Sequence, residues 1–275
     1  MIPQPALSPH VTGVLTALLE ARTGQQLAAY RSWRLDTALK PLLKARNLAS
    51  FDDLVALLEA QDKALEVEVV DALLNNETSF FRDAAVFDLV LQAVAAIEAK
   101  GRRARIWCAG CATGQEPLSL AMLFADRGGT MPEIVATDVS DAALVRARAG
   151  RYTQFEAQRG LPIRRLMQWF DGAADGDWIA RPELVRHIRF LRANLVTDPA
   201  PPGRFDIVLC RNVLLYLSPQ VKPSVFDRLA AALRPDGLFA MGAGETVIGQ
   251  TRLFAPSRSV RGLYALAAQA ATLAA

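Results

Sequence analysis

Apolar residues recur every three or four positions from Val11 to about Leu74, and this spacing predicts a series of amphipathic helices. Ser50 and Asp53 form a capping arrangement, in which a serine oxygen accepts amides of the first helical turn, and it predicts a helix start near residue 51. We therefore expect an all-α N-terminal domain over residues 1–75.

After Gly101 the pattern changes to short apolar runs that alternate with longer amphipathic stretches. The runs predict strands at Arg105–Cys108, Ile134–Thr137, Ile188–Leu191, Phe205–Cys210, Leu238–Met241 and Gly262–Ala265. The amphipathic stretches predict helices at Pro117–Ala125, Asp141–Ala149 and Gln220–Leu233. Such alternation is typical of parallel strands with crossover helices, so we expect an α/β domain over residues 76–275. Gly and Pro interrupt the rhythm over about 151–187, where we expect a small inserted subdomain.

Composition excludes several classes of protein. Apolar residues make up 52% of the 275 residues, which excludes a disordered or fibrous chain. Lys and Arg number 31 against 28 Asp and Glu, and this near balance argues against bulk binding to nucleic acid. No uncharged apolar stretch reaches the roughly 18 residues that span a bilayer. Three cysteines, an odd number, agree with a reducing compartment, so we expect a cytoplasmic protein. We also expect a monomer that does not insert into membranes.

The segment Arg105–Pro117 predicts a buried strand, a Gly-rich turn and a helix start. Gly110 and Gly114 would let the turn approach a ligand closely. Asp138 ends the next strand, where doubly wound folds place an acid that binds ribose hydroxyls. Because Gly-x-x-x-Gly differs from the dinucleotide fingerprint, S-adenosylmethionine is favoured over NAD. The alternative is an ordinary tight turn between strand and helix.

Two further segments carry polar residues towards the same edge of the predicted sheet. The junction Asn75–Asp83 either presents Asn76, Thr78 and Arg82 to the mouth of the sheet or forms a capped linker helix with a solvated arginine. The strand ending at Cys210 delivers Arg211 and Asn212 to the carboxyl edge, where such folds bind ligands, although polar loop residues are common there.

Cys108 and Cys111 form a C-x-x-C pair, which can indicate redox chemistry or half of a zinc site. The other candidate zinc ligands, Cys210, His10 and His187, are scattered along the chain, and a redox pair would begin a helix. We expect no metal site and assign the two thiols to the lining of the turn.

Together, these segments resemble the chemotaxis receptor methyltransferases, the CheR family. The resemblance is carried, in family order, by Asn76–Arg82, Ala109–Pro117, Ala136–Ser140, Asn194–Leu195 and Cys210–Tyr216, with Leu233–Gly237 downstream. It implies an N-terminal helical domain followed by a Rossmann-like α/β domain that binds S-adenosylmethionine and contains a small antiparallel subdomain. The implied activity is methyl esterification of glutamate side chains on the cytoplasmic methylation helices of chemoreceptors, with S-adenosylhomocysteine as product.

The resemblance also implies a set of site residues. Those expected to contact the cofactor are Asn76, Thr78, Arg82, Gly110, Glu116, Asp138, Asn194, Leu195, Arg211 and Asn212. Arg82, Arg211 and Tyr216 are the expected catalytic residues, which orient carboxylates near the transferred methyl. A glutamate side chain, with a pKa of roughly 4.3, is already ionised at neutral pH and can attack without a general base. No catalytic His or Cys is therefore required.

A basic run between Arg22 and Asn47 contains one acid, Asp36. Within it Arg31, Arg34, Lys40 and Lys44 could steer an acidic receptor helix, and a solvated helix face is the alternative. The loop Asp171–Asp177 lacks the Gly-x-Gly of family members that bind a receptor tether, and its three acids would repel one, so we expect no tether binding. A catalytically silent domain that binds the cofactor and signals through partners is the alternative to the enzyme.

Overall fold

The computed structural model describes residues 7–27 and 33–267, apart from the side chains of Trp33 and Arg34. The chain divides into two compact units. The first runs to Asn75 and also includes Tyr216–Val221, a segment that the apolar pattern assigns to the second domain. The second comprises Asn76–Leu215 and the chain from Lys222 onwards.

The first unit is helical over its described part. Its helices are α1 (Pro9–Thr23), α2 (Trp33–Ala45), α3 (Phe51–Glu59) and α4 (Lys63–Leu73). The predicted start of α3 is confirmed, since the Ser50 side chain accepts from the Asp53 N–H and the Asp53 carboxylate accepts from the Ser50 N–H. Apolar faces of these helices supply a core that includes the fully buried Leu15, Leu39 and Leu65.

The second unit alternates strands and helices. In chain order its elements are α5 (Ala85–Glu98), β1 (Arg105–Ala109), α6 (Gln115–Arg127), β2 (Glu133–Asp138), α7 (Asp141–Ala149), β3 (Arg151–Tyr152), α8 (Gln154–Gln158), α9 (Ile163–Trp169), β4 (Phe170–Gly172), β5 (Trp178–Ala180), α10 (Pro182–Val185), β6 (Ile188–Arg192), β7 (Phe205–Leu209), α11 (Lys222–Ala232), β8 (Leu233–Ala240), β9 (Phe254–Pro256) and β10 (Tyr264–Leu266).

Within residues 33–267, seven strands form the main sheet in the order β6-β2-β1-β7-β8-β10-β9. The first five are parallel, and β10 and β9 complete the sheet in antiparallel orientation. The predicted α/β class and all six predicted strands are confirmed. In this main sheet the pattern missed one strand, β9, which has only three residues and ends in Pro256 at the edge of the sheet, where proline is tolerated. The carboxyl ends of the parallel strands therefore meet at one edge.

A second, antiparallel sheet of order β3-β5-β4 lies in the predicted insertion. The rings of Tyr152 and Phe170 from this sheet pack edge-on against Phe80, with centroids 5.0 and 5.7 Å from its ring. Gly160, with φ +94°, lies against the Phe80 carbonyl so closely that a Cβ would come within 2.1 Å of that oxygen. The segment around Phe80 is thus fixed by the inserted subdomain.

None of the helices in the described ranges is both long enough and apolar enough to cross a membrane.

Candidate functional site

The turn after β1 and the acid that ends β2 are bound directly to each other. The N–H groups of Gly110 and Cys111 donate to the Thr137 carbonyl at 2.8 and 2.9 Å. Asp138 accepts from the Ala112 N–H at 2.7 Å, and its other carboxylate oxygen accepts from the Ser140 N–H at 3.0 Å. The side chain of Asp138 is therefore held in one orientation at the carboxyl edge of the sheet.

The two glycines of this turn are required by packing within the protein. A Cβ on Gly110 would lie 2.4 Å from Cγ2 of Val213, and one on Gly114 would lie 2.9 Å from Cβ of Ala147. Both have positive φ, which favours glycine independently of space. Protein thus fills the space on the Cβ side of each glycine. The expected approach of the turn backbone to a ligand stays a prediction. The N–H of Gly110 is also already bound.

Arg211, which follows β7, is surrounded by acceptors. Its Nη1 donates to Oε2 of Glu116 at 2.9 Å, and its Nη2 donates to Oδ2 of Asp83 at 2.9 Å and to the Arg82 carbonyl. The Arg211 side chain is only 2% exposed. Because two carboxylates already balance its charge, Arg211 holds Glu116 and Asp83 in place. Its Nε is buried and has no hydrogen-bond partner in the described structure.

The charge of Arg82, unlike that of Arg211, is not balanced by a carboxylate of the described structure. Its guanidinium makes one long hydrogen bond, 3.3 Å from Nη1 to the Glu77 carbonyl, and it is half-buried. Within the described ranges no carboxylate lies within 4.0 Å of it. Of the two arginines that the sequence singles out, Arg82 is the one whose charge is available to an incoming carboxylate.

The junction before α5 is not a linker helix, so the alternative of a capped helix is wrong. Residues 75–79 have no regular structure, and a turn over 80–84 places Phe81 and Asp83 at positive φ. Asn76 and Thr78 line a cavity of about 550 Å³, and neither side chain has a hydrogen-bond partner among the residues described. Thr113, Gln115 and Phe155 also line it. Two polar groups of the junction thus face open space beside the turn after β1.

Asn194 and Leu195 form a turn at the end of β6. The Asn194 N–H donates to Oδ2 of Asp198 at 2.9 Å, and this bond lowers the pKa of the Asp198 carboxyl. The Asn194 side chain accepts from the Val196 N–H, and the Leu195 carbonyl accepts from Arg228. The turn lies at the same edge as Asp138, whose carbonyl accepts from the Ala193 N–H at 2.9 Å.

Asn212 lies next to Arg211 in the loop after β7. Its backbone is left-handed, with φ 58°, and its N–H donates to Oε2 of Glu245 at 2.6 Å. Its side-chain Oδ1 is buried and has no hydrogen-bond partner within the described part of the chain. A buried acceptor without a partner is costly, so it is expected to receive a hydrogen bond from a ligand.

Two acids at this edge were not among the expected site residues. Asp83 ends the junction segment Asn75–Asp83, and the sequence assigns it no role. Glu245 lies in the loop after β8, which has no apolar pattern. Their partners are Arg211 and the Asn212 backbone, which come from distant parts of the chain. No local spacing in the sequence could have indicated these pairs.

The remaining expected residues are Tyr216 and the four cations of the basic run. Tyr216 ends a 3₁₀ turn, Leu214–Tyr216, and belongs to the first unit, where its carbonyl accepts from the Gln26 N–H at 2.8 Å. Lys44 is exposed on α2, and Lys40 pairs with Asp36 at 2.6 Å. Arg31 and the side chain of Arg34 lie outside the described residues.

The thiols and imidazoles do not provide a catalytic base. Cys108, Cys111 and Cys210 are fully buried, and burial raises the pKa of each thiol well above its usual value. The two histidines of the chain are His10 in α1 and His187 at the amino end of β6, the edge opposite Asp138.

The acids of the inserted loop are paired. Arg151 contacts both Asp175 and Asp177, and Arg181 lies 3.3 Å from Asp171. The expected repulsion of a tether by three acids is therefore weakened, since two arginines offset most of this charge. The absence of a Gly-x-Gly sequence is the other argument.

Comparisons with known proteins give one consistent result. A family model described as "CheR methyltransferase, SAM binding domain" matches residues 76–262. Chemotaxis protein methyltransferase 1 of Pseudomonas aeruginosa is 36% identical over 239 residues, 83% of this chain and 87% of that protein. Chemotaxis protein methyltransferase 1 of Vibrio cholerae is 35% identical over 244 residues, 86% of this chain and 89% of that protein. The chemotaxis protein methyltransferase of Escherichia coli is 31% identical over 250 residues, 87% of this chain and 85% of that protein.

Proposed function

The chain belongs to the CheR methyltransferase family, whose cofactor is S-adenosylmethionine, and on this premise we propose that it methylates glutamate side chains of chemoreceptors. The product would be a glutamate methyl ester on a cytoplasmic methylation helix, with S-adenosylhomocysteine released. The enzyme would accordingly act in the cytoplasm, where those helices lie.

The polar groups at the carboxyl edge fit this cofactor. Asp138 occupies the position from which an acid binds ribose hydroxyls. The unpartnered Oδ1 of Asn212 is an acceptor suited to an ammonium group, and the guanidinium of Arg82 is a donor suited to a carboxylate. The methionyl part of the cofactor carries both of these groups. Asn76, Thr78, Glu116, Asn194 and Leu195 remain proposed contacts.

The observation that carries the proposal is that the described site lacks a free base, since its carboxylates Asp83, Glu116 and Glu245 are already bound to donors. Arg82 has no carboxylate partner in the described structure, and the site contains neither a histidine nor an ionised thiol. Nucleophiles such as hydroxyls need a base to remove a proton, whereas a glutamate carboxylate does not. The site therefore suits a substrate that arrives already ionised.

Bound S-adenosylmethionine would supply a methyl group that is activated by its bond to a sulfonium sulfur. The carboxylate oxygen would form a bond to this methyl carbon while the carbon–sulfur bond breaks. The protein has to align the attacking oxygen with that bond, and such positioning contributes about 7–11 kcal/mol. We assign Arg82 to the methionyl carboxylate, because the negative charge of that carboxylate persists through the reaction. A tight pair with the nucleophile would oppose catalysis, since esterification removes the nucleophile's charge.

Arg211 then acts as a positioning residue through Glu116 and Asp83. Tyr216 remains a proposed catalytic residue from the family resemblance. For receptor binding we propose the basic run that includes Arg31, Arg34, Lys40 and Lys44, in which Lys44 is an exposed cation without an ion pair in the described part of α2.

The decisive experiment is transfer of radiolabelled methyl from the cofactor to purified receptor cytoplasmic fragments, followed by alkaline hydrolysis. Volatile methanol released by base would identify a carboxyl ester and exclude N-methylation. A fragment with glutamines in place of its glutamates is the substrate control. If calorimetry shows cofactor binding but no label is transferred, the chain is a silent signalling domain and the proposal is wrong.

A further inference from the structure

We propose that Glu245 is a positioning residue, which fixes the loop after β7 so that the Asn212 amide is presented to the cofactor. The proposal rests on the proposed cofactor contact of Asn212. Oε2 of Glu245 accepts from the N–H groups of Asn212 at 2.6 Å and Gly242 at 3.0 Å. Its Oε1 accepts from the Leu215 N–H at 3.3 Å. One carboxylate thus binds the backbone at both ends of the loop Asn212–Leu215.

This loop needs an external anchor because its own conformation is unfavourable. Asn212 has φ 58°, in the left-handed region, where a side chain raises the energy of the backbone. Such a conformation persists when the surrounding structure holds it. The short bond from the Asn212 N–H to a charged acceptor is the contact that does so, since bonds to ionised groups are about twice as strong as neutral ones.

Gly242 fixes the direction of the Asn212 side chain. A Cβ on Gly242 would lie 2.7 Å from Nδ2 and 3.0 Å from Oδ1 of Asn212, so the amide packs directly on the glycine. Because Glu245 binds the N–H groups of both residues, it sets their separation as well. The buried Oδ1 is left without a hydrogen-bond partner in the described structure.

Two variants disturb this arrangement by different means, and each has a matched control. Glu245→Gln replaces one acceptor oxygen with an NH₂ group, which must face an N–H donor of the loop. Its control is Glu183→Gln on the exposed face of α10. Gly242→Ala pushes the Asn212 amide but leaves Glu245 intact, and its control is Gly244→Ala, where a Cβ would meet nothing within 4 Å.

The measurement is calorimetric binding of S-adenosylhomocysteine, with melting temperatures recorded in parallel. We expect Glu245→Gln and Gly242→Ala each to weaken binding about tenfold, the loss of one good hydrogen bond, while both controls bind as the parent does. In an Asn212→Ala background, we expect Glu245→Gln to weaken binding less than about twofold further, since its effect passes through Asn212.

Two results would overturn the proposal. One is a lower melting temperature for Glu245→Gln with unchanged affinity, which would make Glu245 a purely structural anchor. The other is a full additional tenfold loss in the Asn212→Ala background. Because the parent protein's own binding of S-adenosylhomocysteine is measured first, failure of the proposed cofactor would be seen separately.

Discussion

Arg211 and Glu116 form a buried ion pair, 2.9 Å from Nη1 to Oε2, between the end of β7 and the first turn of α6. Side-chain exposure is 2% for Arg211 and 12% for Glu116. A carboxylate in the first helical turn also suits the helix dipole. The pair ties the turn after β1 to the loop after β7, and Asp83 binds the junction segment to the same guanidinium.

Replacing each arginine by methionine should separate stability from cofactor binding. Arg211→Met leaves Glu116 and Asp83 without their counter-charge, so we expect the free energy of unfolding to fall by about 3 kcal/mol. Arg82→Met should change it by less than about 0.5 kcal/mol, as for other substitutions without a buried partner. Urea unfolding measures both.

The same two variants should differ in calorimetry. Arg82→Met should weaken cofactor binding by about 1.5–3 kcal/mol, the range for a hydrogen bond to a charged group. If instead Arg82→Met destabilised the fold and Arg211→Met did not, the assignment of the two arginines would be reversed.

Asp138→Ala should affect both binding and stability. The variant leaves the buried N–H groups of Ala112 and Ser140 without their acceptor, so we expect a loss of about 2–4 kcal/mol in unfolding free energy. Cofactor affinity should fall at least about tenfold when measured well below the melting temperature. Ser140→Ala is the control, because it removes only the cap on the Ala143 N–H, worth about 1 kcal/mol. Unchanged affinity in folded Asp138→Ala would remove Asp138 from the site.

The sequence predicts the strands and their carboxyl-edge residues because these depend on local patterns. Asp138 and Arg211 each follow an apolar run, and parallel pairing then places them at one edge. The partners of these residues could not be predicted. Asp83 and Glu245 reach the site only because β7 and β8 are neighbours and the junction folds against them. An arginine next to a strand looks the same in sequence whether its charge is free or balanced.

The glycine motif shows a second limit of local patterns. A Gly-rich turn after a strand indicates that some group packs closely against the turn. Which group this is depends on the tertiary structure. Here Val213 and Ala147 occupy those positions. The partners of the acids in the inserted loop also depend on the tertiary structure, since the arginines that pair with them lie on β3 and after β5.

Reversing the charge of Lys44 should weaken receptor methylation mainly at low ionic strength. An exposed cation acts on an acidic partner over a distance that shrinks from about 10 Å at 0.1 M salt to about 3 Å at 1 M. We expect Lys44→Glu to lower kcat/KM for receptor fragments several-fold at low salt, with no change in cofactor affinity. Lys100→Glu, near the amino end of β1, is the control. Equal rates for Lys44→Glu and parent at low salt would make this a solvated helix face.

Alanine at Gly160 should disturb the cofactor site from the inserted subdomain, whereas alanine at Gly176 should not. Both glycines have positive φ, +94° and +88°, so each substitution carries a similar backbone penalty of about 1–2 kcal/mol. Only at Gly160 would the Cβ also meet the Phe80 carbonyl, 2.1 Å away, and displacing Phe80 moves the junction that carries Thr78 and Arg82. We expect Gly160→Ala to lose about 3 kcal/mol or more of unfolding free energy and to bind S-adenosylhomocysteine more weakly, while Gly176→Ala binds it normally. Equal affinities in the two folded variants would mean that the subdomain does not hold the junction in its binding position.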